Sequence, residues 1–370
     1  MKIVSVEPIV LSIPFEDGGQ GTGMTPTRWH RLDMVLVKIV TDRGLIGWGE
    51  AFAYFCRRAV AAQVRDLYAP MLIGQPLEPT TDLSALNLQL QQRSCLFGRY
   101  GVSTFALSGI DIALWDLQAK AAGCGLATLI AGRRRRETVA AYASLVRYGE
   151  AAQVARHCER AQREGYTSIK LHEVTLPEIR AGRAAMDRTS TFTVDVNCSW
   201  DEAFAARAIP ELIALDTLWL EEPVFPPEDW AAQRRLGALG LPIAAGENAC
   251  TAQEFGHLAQ AVRYVQPSVT KVGGVSEFLR VATLARQRQG PDHEGDFMAH
   301  SPYFGPGYHA TLQLAAALDN FGLFEHLYID PLAWAGGHGL RPEGGHIAIP
   351  DRPGIGFEPD ADVLHRYAAP

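Results

Sequence analysis

Hydrophobic and polar positions divide the chain into two textures. In the first 50 residues, Val-, Ile- and Leu-rich runs at 2–13 and Met34 to Val40 flank a lid-like loop, and Thr41-Asp42-Arg43-Gly44 precedes LIGWGE. This pattern predicts a β-meander. The loop at 17–30 is dense in Gly, Thr and Pro. It is too long for a hairpin turn and is expected to be a mobile lid. Its glycines do not fit GxGxxG and Pro26 follows them, which excludes a dinucleotide loop. From about residue 57 the spacing becomes helical. Ile110, Ala113, Leu114, Leu117 and Ala121 share one face, and Gly123 is the expected stop. The run Arg133 to Arg136 reads as a solvated linker, since one short basic run in an acidic chain is a weak sign of nucleic-acid contact.

After residue 138, short apolar strands alternate with Ala-, Leu- and Arg-rich helical stretches. Strand centres are predicted at Tyr142, Lys170, Val194, Leu220, Ala244, Val265, Met298 and Phe324. Alternation of this kind is the mark of parallel βα units, and eight of them suggest a closed barrel. The expected organisation is an α+β first domain over 1–132, a barrel over 133–343, and a segment 344–370 that returns to the first domain.

A barrel gathers its chemistry at the C-terminal ends of its strands. The last polar residues there are Lys170 and His172, Asp195 and Asn197, then Glu221, Glu247, Ser268, His300 and Glu325. They recur at about one βα repeat, so they are expected to converge on one site. Asp195, Glu221 and Glu247 end three successive apolar strands. Three carboxylates aimed at one point would not stay ionised together without a cation. Oxygen-only ligands suit a hard ion, Mg²⁺ most readily. The competing account, three unrelated helix-capping carboxylates, fits each one alone better than the series. Period-2 alternation puts Lys170 and His172 on one inward face and pairs Asp195 with Asn197. Lys170 is either a functional group or a cation that neutralises the carboxylates. His172 and His300 are either structural histidines or proton-transfer groups, and their places at the mouth favour the second. Asp330 competes with Glu325 for the eighth-strand position, and DHEGD at 292–296 is expected at the opposite end of the barrel with no role.

Composition narrows the function by exclusion. The 370 residues carry a net charge of −7 at a pI near 5.9, so no global positive field would steer nucleic acid or an anionic membrane to the protein. Six scattered cysteines without a CxxC pair fit a reducing compartment. The N-terminus reads as a strand interrupted by Glu7 and Pro8, and no apolar run approaches a membrane span, so a cytoplasmic location is expected. Expected partners are a small-molecule carboxylate and further copies of the same chain.

LIGWGE, LSGIDIALWDLQAK, GYTSIKLH, TVDVN, WLEEP, AAGEN, VQPSVTKVGG and IPDRPGIGFE occur in an order that resembles the enolase superfamily, most closely its mandelate racemase subgroup. The resemblance spans nearly the whole chain. It implies an α+β capping domain over a modified TIM barrel, (β/α)7β, with the C-terminal tail returning to the cap. It also implies that Asp195, Glu221 and Glu247 bind Mg²⁺, which holds a substrate carboxylate, while a base removes the α-proton and Lys170 helps stabilise the enediolate. Such a weakly acidic proton leaves only if positive charge is concentrated at the developing oxyanion.

Two departures from the subgroup stand out. His172 occupies the place of the second lysine in Lys-x-Lys, and Ser268 occupies the place of the aspartate that usually partners the seventh-strand histidine. Without that carboxylate, His300 should be less cationic and less firmly oriented. His172, near a cation and Lys170, should be pushed toward the neutral base. Lys271 resembles a lysine common in the family outside the base position.

The first functional expectation is a sugar-acid dehydratase giving a 2-keto-3-deoxy acid. The alternatives are a racemase, epimerase or cycloisomerase of a 2-hydroxy or amino acid, or a metal-stabilised scaffold without activity. Specificity is expected from the cap, through Arg28, Trp29 and His30 on the lid and Tyr54 and Phe55 in AFAYF. Arg28 could pair with a distal carboxylate, or it could be a solvated loop arginine. Glu325 is expected to support the enediolate, and Asn197, Tyr54 and Ser268 to face substrate.

Overall fold

The computed structural model describes residues 1–19, 28–289 and 296–370. Most of the expected lid (20–27) and DHEGD up to residue 295 lie outside the described residues.

The N-terminal meander is β1 (Ile3–Glu16), β2 (Arg31–Thr41) and β3 (Ile46–Phe52). All pairings are antiparallel, with Ile9 opposite Leu36 and Leu36 opposite Glu50. Gly44, at φ 76°, donates its N–H to the Thr41 carbonyl and makes the tight turn between β2 and β3. Helices α1 (Arg57–Ala62), α2 (Ala69–Leu72), α3 (Leu83–Ser94), α4 (Val102–Ala121) and α5 (Leu126–Ala131) follow.

Helix α4 is buried on nearly every side, because it is held between the cap sheet and the barrel. Ile110, Ala113, Leu114 and Leu117 are in the core as their spacing predicts, whereas Ala121 in the last turn is exposed. The sheet approaches α4 closely through Gly47 and Gly49. A Cβ on Gly49 would strike the Gly109 carbonyl oxygen, and one on Gly47 the Ala113 carbonyl oxygen.

The barrel strands are β4 (Thr138–Leu145), β5 (Ser168–Leu171), β6 (Thr191–Asp195), β7 (Thr217–Glu221), β8 (Ile243–Ala245), β9 (Tyr264–Val265), β10 (Phe297–Ala299) and β11 (Phe321–Leu327). Each contains its predicted centre. Neighbours pair in parallel, and β11 pairs with β4 to close the ring. Among the described residues, seven helices lie between the eight strands: α6 (Ala151–Arg163), α7 (Leu176–Ala184), α8 (Glu202–Ala214), α9 (Trp230–Gly237), α10 (Ala252–Leu258), α11 (Gly274–Gln289) and α12 (Pro306–Ala317). The fold is therefore an α+β cap on a (β/α)7β barrel. No helix among the described residues is long and apolar enough to cross a membrane.

Cap and barrel are joined by buried polar groups. Asp111 on α4 accepts from the Ser276 backbone N–H (2.9 Å) and hydroxyl (2.7 Å) on α11, and from Asn87 Nδ2 on α3 (2.8 Å). After β11, the pair β12 (Asp330–Pro331) adds to β1 of the cap sheet. The closing segment first pairs β13 (His346–Ala348) with β4. It then hydrogen-bonds Ile355 N to Asp116 of α4 (2.8 Å), forms α13 (Ala361–Arg366), and exchanges backbone hydrogen bonds with β1 through Tyr367 and Ala369.

The arginine run differs from its expectation. Arg135 donates to the Ala317 carbonyl (2.7 Å), and Arg136 donates to the Leu318 and Phe321 carbonyls (both 3.1 Å). Arg134 bridges to the Ile349 carbonyl (2.9 Å) and Asp351. The C-terminal end of a helix leaves carbonyls without intrahelical partners and carries partial negative charge, so cations at the end of α12 are used structurally.

Gly49→Ala should destabilise the protein by about 2–4 kcal/mol through the clash with α4. Gly256→Ala, helical and with open space at its Cβ, should be neutral or gain up to about 1 kcal/mol. Urea unfolding of both variants checks the contrast, and equal effects would contradict the close-packing account.

Candidate active site

Period-2 alternation in β5 sends Lys170 into the barrel and Leu171 outward against the helices. Lys170 is fully buried. Its Nζ lies 2.9 Å from Glu221 Oε1, 3.0 Å from Glu325 Oε1 and 3.5 Å from Asp195 Oδ2. The face of Tyr142 is 5.5 Å away. Burial works against the ammonium, but Glu221 and Glu325 hold its pKa well above the ordinary lysine value.

The carboxylates around it divide into two groups. Burial pushes Asp195 and Glu325 up, yet the Lys170 charge, with His172 at Asp195 and His300 at Glu325, holds both below the usual range. For Glu221, burial prevails over Lys170 and drives the group well up, and Asp195 and Glu325 add to the shift. Glu221 is nevertheless surrounded by donors: Trp219 Nε1 at 3.1 Å and Gln266 Nε2 at 2.8 Å both reach Oε2. Glu325 also accepts from the Ser144 hydroxyl (2.7 Å) and the Ser301 N–H (2.9 Å). It is the eighth-strand group. Asp330 pairs outside the barrel with Arg160 and Arg341.

His172 Nδ1 donates to the Leu145 carbonyl at 2.5 Å, which turns Nε2 toward Asp195 Oδ2 at 3.2 Å. Across the site, His300 Nε2 lies 2.7 Å from Glu247 Oε2. Burial raises Glu247, but His300 and then Lys271 hold it far below the usual carboxylate range. Behind His300, Nδ1 meets the Ser268 hydroxyl at 3.2 Å and the Tyr303 hydroxyl at 3.4 Å, and those two hydroxyls bond each other. Two neutral hydroxyls thus stand where a carboxylate would orient the imidazole. Ser268 is fully buried and acts on the back of His300; it does not line the cleft.

Asp195 and Glu221 are register partners on β6 and β7, and Glu247 follows β8. Among the described residues, no three His, Cys, Asp or Glu side chains are gathered closely enough to hold a metal ion. The expected convergence of the three carboxylates is therefore incomplete. Lys170 Nζ contacts Asp195 and Glu221, while His172 contacts Asp195 and His300 contacts Glu247. The donor types still suit a hard divalent cation. Asn197 N donates to Asp195 Oδ1 (2.8 Å), and the buried Asn197 Oδ1 has no hydrogen-bond partner.

Above these groups opens a cleft of about 320 Å³. Its barrel side is Asn197, Glu247, Asn248, Lys271, His300 and Pro302; its cap side is Trp29, Phe52, Tyr54, Phe55 and Phe105. Tyr54 lies in the wall as expected, but its hydroxyl is donated to the Pro302 carbonyl, so it offers mainly its ring. Arg28 is exposed and is not among the lining residues, whereas its neighbour Trp29 is.

Two family descriptions match the chain. The mandelate racemase/muconate lactonizing enzyme N-terminal domain matches residues 17–131, and the Enolase C-terminal domain-like description matches 153–363. The chain belongs to the mandelate racemase/muconate lactonizing enzyme family of the enolase superfamily. The chain is 27% identical over 350 residues to an arabinonate dehydratase of Saccharolobus solfataricus, covering 91% of each chain. It is 29% identical to a D-galactarolactone cycloisomerase of Agrobacterium fabrum, covering 100% of both. A racemase from Streptomyces coelicolor, solved with bound magnesium, superposes with a TM-score of 0.86 at 26% identity, covering 99% of this chain and 100% of that one. These likenesses support lyase or isomerase activity of the superfamily kind.

Sequence reasoning missed Tyr303 and Glu50. Tyr303 is three residues past His300 in a Gly/Pro-rich loop, where reach cannot be read from spacing. Glu50, at the end of LIGWGE, is buried at the cap–barrel junction and accepts from the Gly307 N–H at 2.8 Å. Burial pushes its pKa up to about 7, and the Gly307 hydrogen bond opposes the shift.

Because folding raises the Glu50 pKa above its usual 4.5, its contribution is fully present below about pH 4.5 and is lost as pH rises through about 7. Glu50→Gln should match the wild type near pH 4.5 and exceed it above pH 7, by at most about 3 kcal/mol. Unfolding at pH 5 and pH 8 measures the difference, and a pH-independent offset would rule out titration of Glu50.

Proposed function

We propose that the protein is a Mg²⁺-dependent enzyme that removes the proton α to the carboxylate of a sugar acid. Its principal outcome is dehydration to a 2-keto-3-deoxy acid. The observation that carries this reading is the fully buried Lys170 ammonium among Asp195, Glu221 and Glu325. His172 meets Asp195 of this group, and His300 meets Glu247 where both line the cleft. Asp195, Glu221 and Glu247 would hold the cation. Bound there, Mg²⁺ would supply a Lewis acid that offsets charge on the substrate carboxylate.

The protein's own groups divide the remaining work. Lys170, kept cationic by its neighbours, stabilises the enediolate oxygen. With Nδ1–H committed to the Leu145 carbonyl, His172 would act as the base through Nε2, the nitrogen that meets Asp195 Oδ2 at 3.2 Å. The α C–H bond breaks onto His172, and its electron pair enters the enediolate. As the double bond forms, the β C–O bond breaks, and His300 protonates the departing hydroxyl so that it leaves as water. The resulting enol tautomerises to the 2-keto acid. Glu325 holds Lys170 in place, and Asn197 offers its unpartnered Oδ1 at the cleft.

Isomerisation is the second reading. It is favoured by the Ser268 and Tyr303 hydroxyls behind His300, since a proton shared among neutral groups can be returned to carbon as readily as given to a leaving oxygen. The relatedness to a cycloisomerase is in keeping with it.

Incubating the protein with Mg²⁺ and a panel of sugar acids in D₂O should give a 2-keto-3-deoxy product. His172→Asn and His300→Asn should each lower the rate by at least about 10²-fold. α-Deuterium in recovered acid without keto product would favour isomerisation. Failure of every acid to exchange or turn over would favour a scaffold.

A further inference from the structure

Alternation along β11 turns Glu325 into the barrel and its neighbour His326 outward. On that outer side a cavity of about 370 Å³ lies between the end of β1, α6, the β11–β12 connection and residues 341–343. No residue of the proposed reaction lines it.

His326 and Tyr166 line this cavity and are only 6% and 5% exposed. The His326 ring lies nearly parallel to the rings of Tyr166 (21°) and Trp334 (12°). The Tyr308 hydroxyl donates to the Leu340 carbonyl (2.9 Å), so at 3.1 Å its oxygen accepts from His326 Nδ1–H. Nε2 therefore carries the lone pair, and burial keeps the ring neutral by pushing its pKa down to about 3. Tyr308 is not part of the lining, which leaves the Nε2 edge of the ring toward the cavity. Neither Nε2 nor the Tyr166 hydroxyl has a hydrogen-bond partner among the described residues. Two buried polar groups facing a cavity without partners are costly unless something else supplies them.

The charges around them say what that is. Arg160 pairs with Glu164 at 2.8 Å and with Asp330 at 3.2 Å, and Arg341 pairs with Asp330 at 3.0 Å. Both cations of the lining are thus matched. Glu16, Asp17 and Glu343 also line the cavity and make no ion pair among the described residues. An excess of three negative charges remains. A neutral imidazole nitrogen and three carboxylates can only accept, so the group that satisfies them is a donor with positive charge. The volume is that of a small organic ligand, larger than one ion needs.

We propose that this cavity binds an organic polycation of the alkyl diamine class, one ammonium donating to His326 Nε2 and the Tyr166 hydroxyl and the other facing Glu16, Asp17 and Glu343.

The probe is 1,4-diaminobutane, titrated calorimetrically into the Mg²⁺-saturated protein, with 1,4-butanediol as the uncharged control. The diamine should bind at one site and raise the melting temperature, and the diol should do neither. Tyr166→Phe should weaken the diamine about tenfold, the size of one hydrogen bond to a charged group. Joint replacement Glu16→Gln and Glu343→Gln should weaken it by at least about threefold. Both changes spare the fold, since Tyr166 loses an unpartnered hydroxyl and Glu16 and Glu343 are exposed. Melting without ligand checks this. Absence of diamine binding, equal binding of the diol, or unchanged affinity in either variant would overturn the proposal. Turnover of sugar acids does not enter the measurement, so its outcome is independent of the proposed reaction.

Discussion

A single ammonium, Lys170, governs the interior of this barrel. It is surrounded by Asp195, Glu221 and Glu325 from three other strands, and the register in which the strands close delivers all three side chains to it. Buried ion pairs add little net stability, because desolvation offsets their attraction. Their value here is positional. Removing the lysine would leave three carboxylates buried against one another, and shifting any strand by one residue would turn its carboxylate away from the interior. The closure of β11 on β4 is part of the same arrangement, since Ser144 on β4 and Lys170 on β5 share Glu325 Oε1.

The cap completes the site without contributing to this ionic centre. It supplies an aromatic roof, and its attachment depends on buried carboxylates that accept from barrel and tail. Asp111 holds the start of α11. Asp116 accepts from the Trp48 and Ile355 N–H groups and pairs with Lys120 at 3.0 Å. Glu50 sits where the end of β3 meets the start of α12, beside Gly305 and Gly307. The cleft is therefore formed between two surfaces, one polar and charged and one aromatic.

Legibility in the sequence followed the range of the interactions. All eight barrel strands and the inward facing of Lys170, His172, Asp195, Glu221 and Glu325 could be read because period-2 alternation and the βα repeat are local. Family landmarks gave the architecture as a whole. Three features escaped for the same reason. The arginines at 134–136 bond carbonyls near 317–321 and 349, and Tyr303 reaches Ser268 across a loop. Lys271 has the right residues near it only because Phe52 and Phe105 come from the cap. Each depends on partners distant in the chain, and neither composition nor spacing encodes them.

Strand β1 receives Pro331 on one side, and near its middle the backbone of Tyr367 and Ala369 meets Ser12 and Val10. The cap is thus assembled from both extremes of the sequence, with the entire barrel emerging in between. During synthesis its first strand has to wait, with part of its backbone unsatisfied, until some 350 further residues have been made.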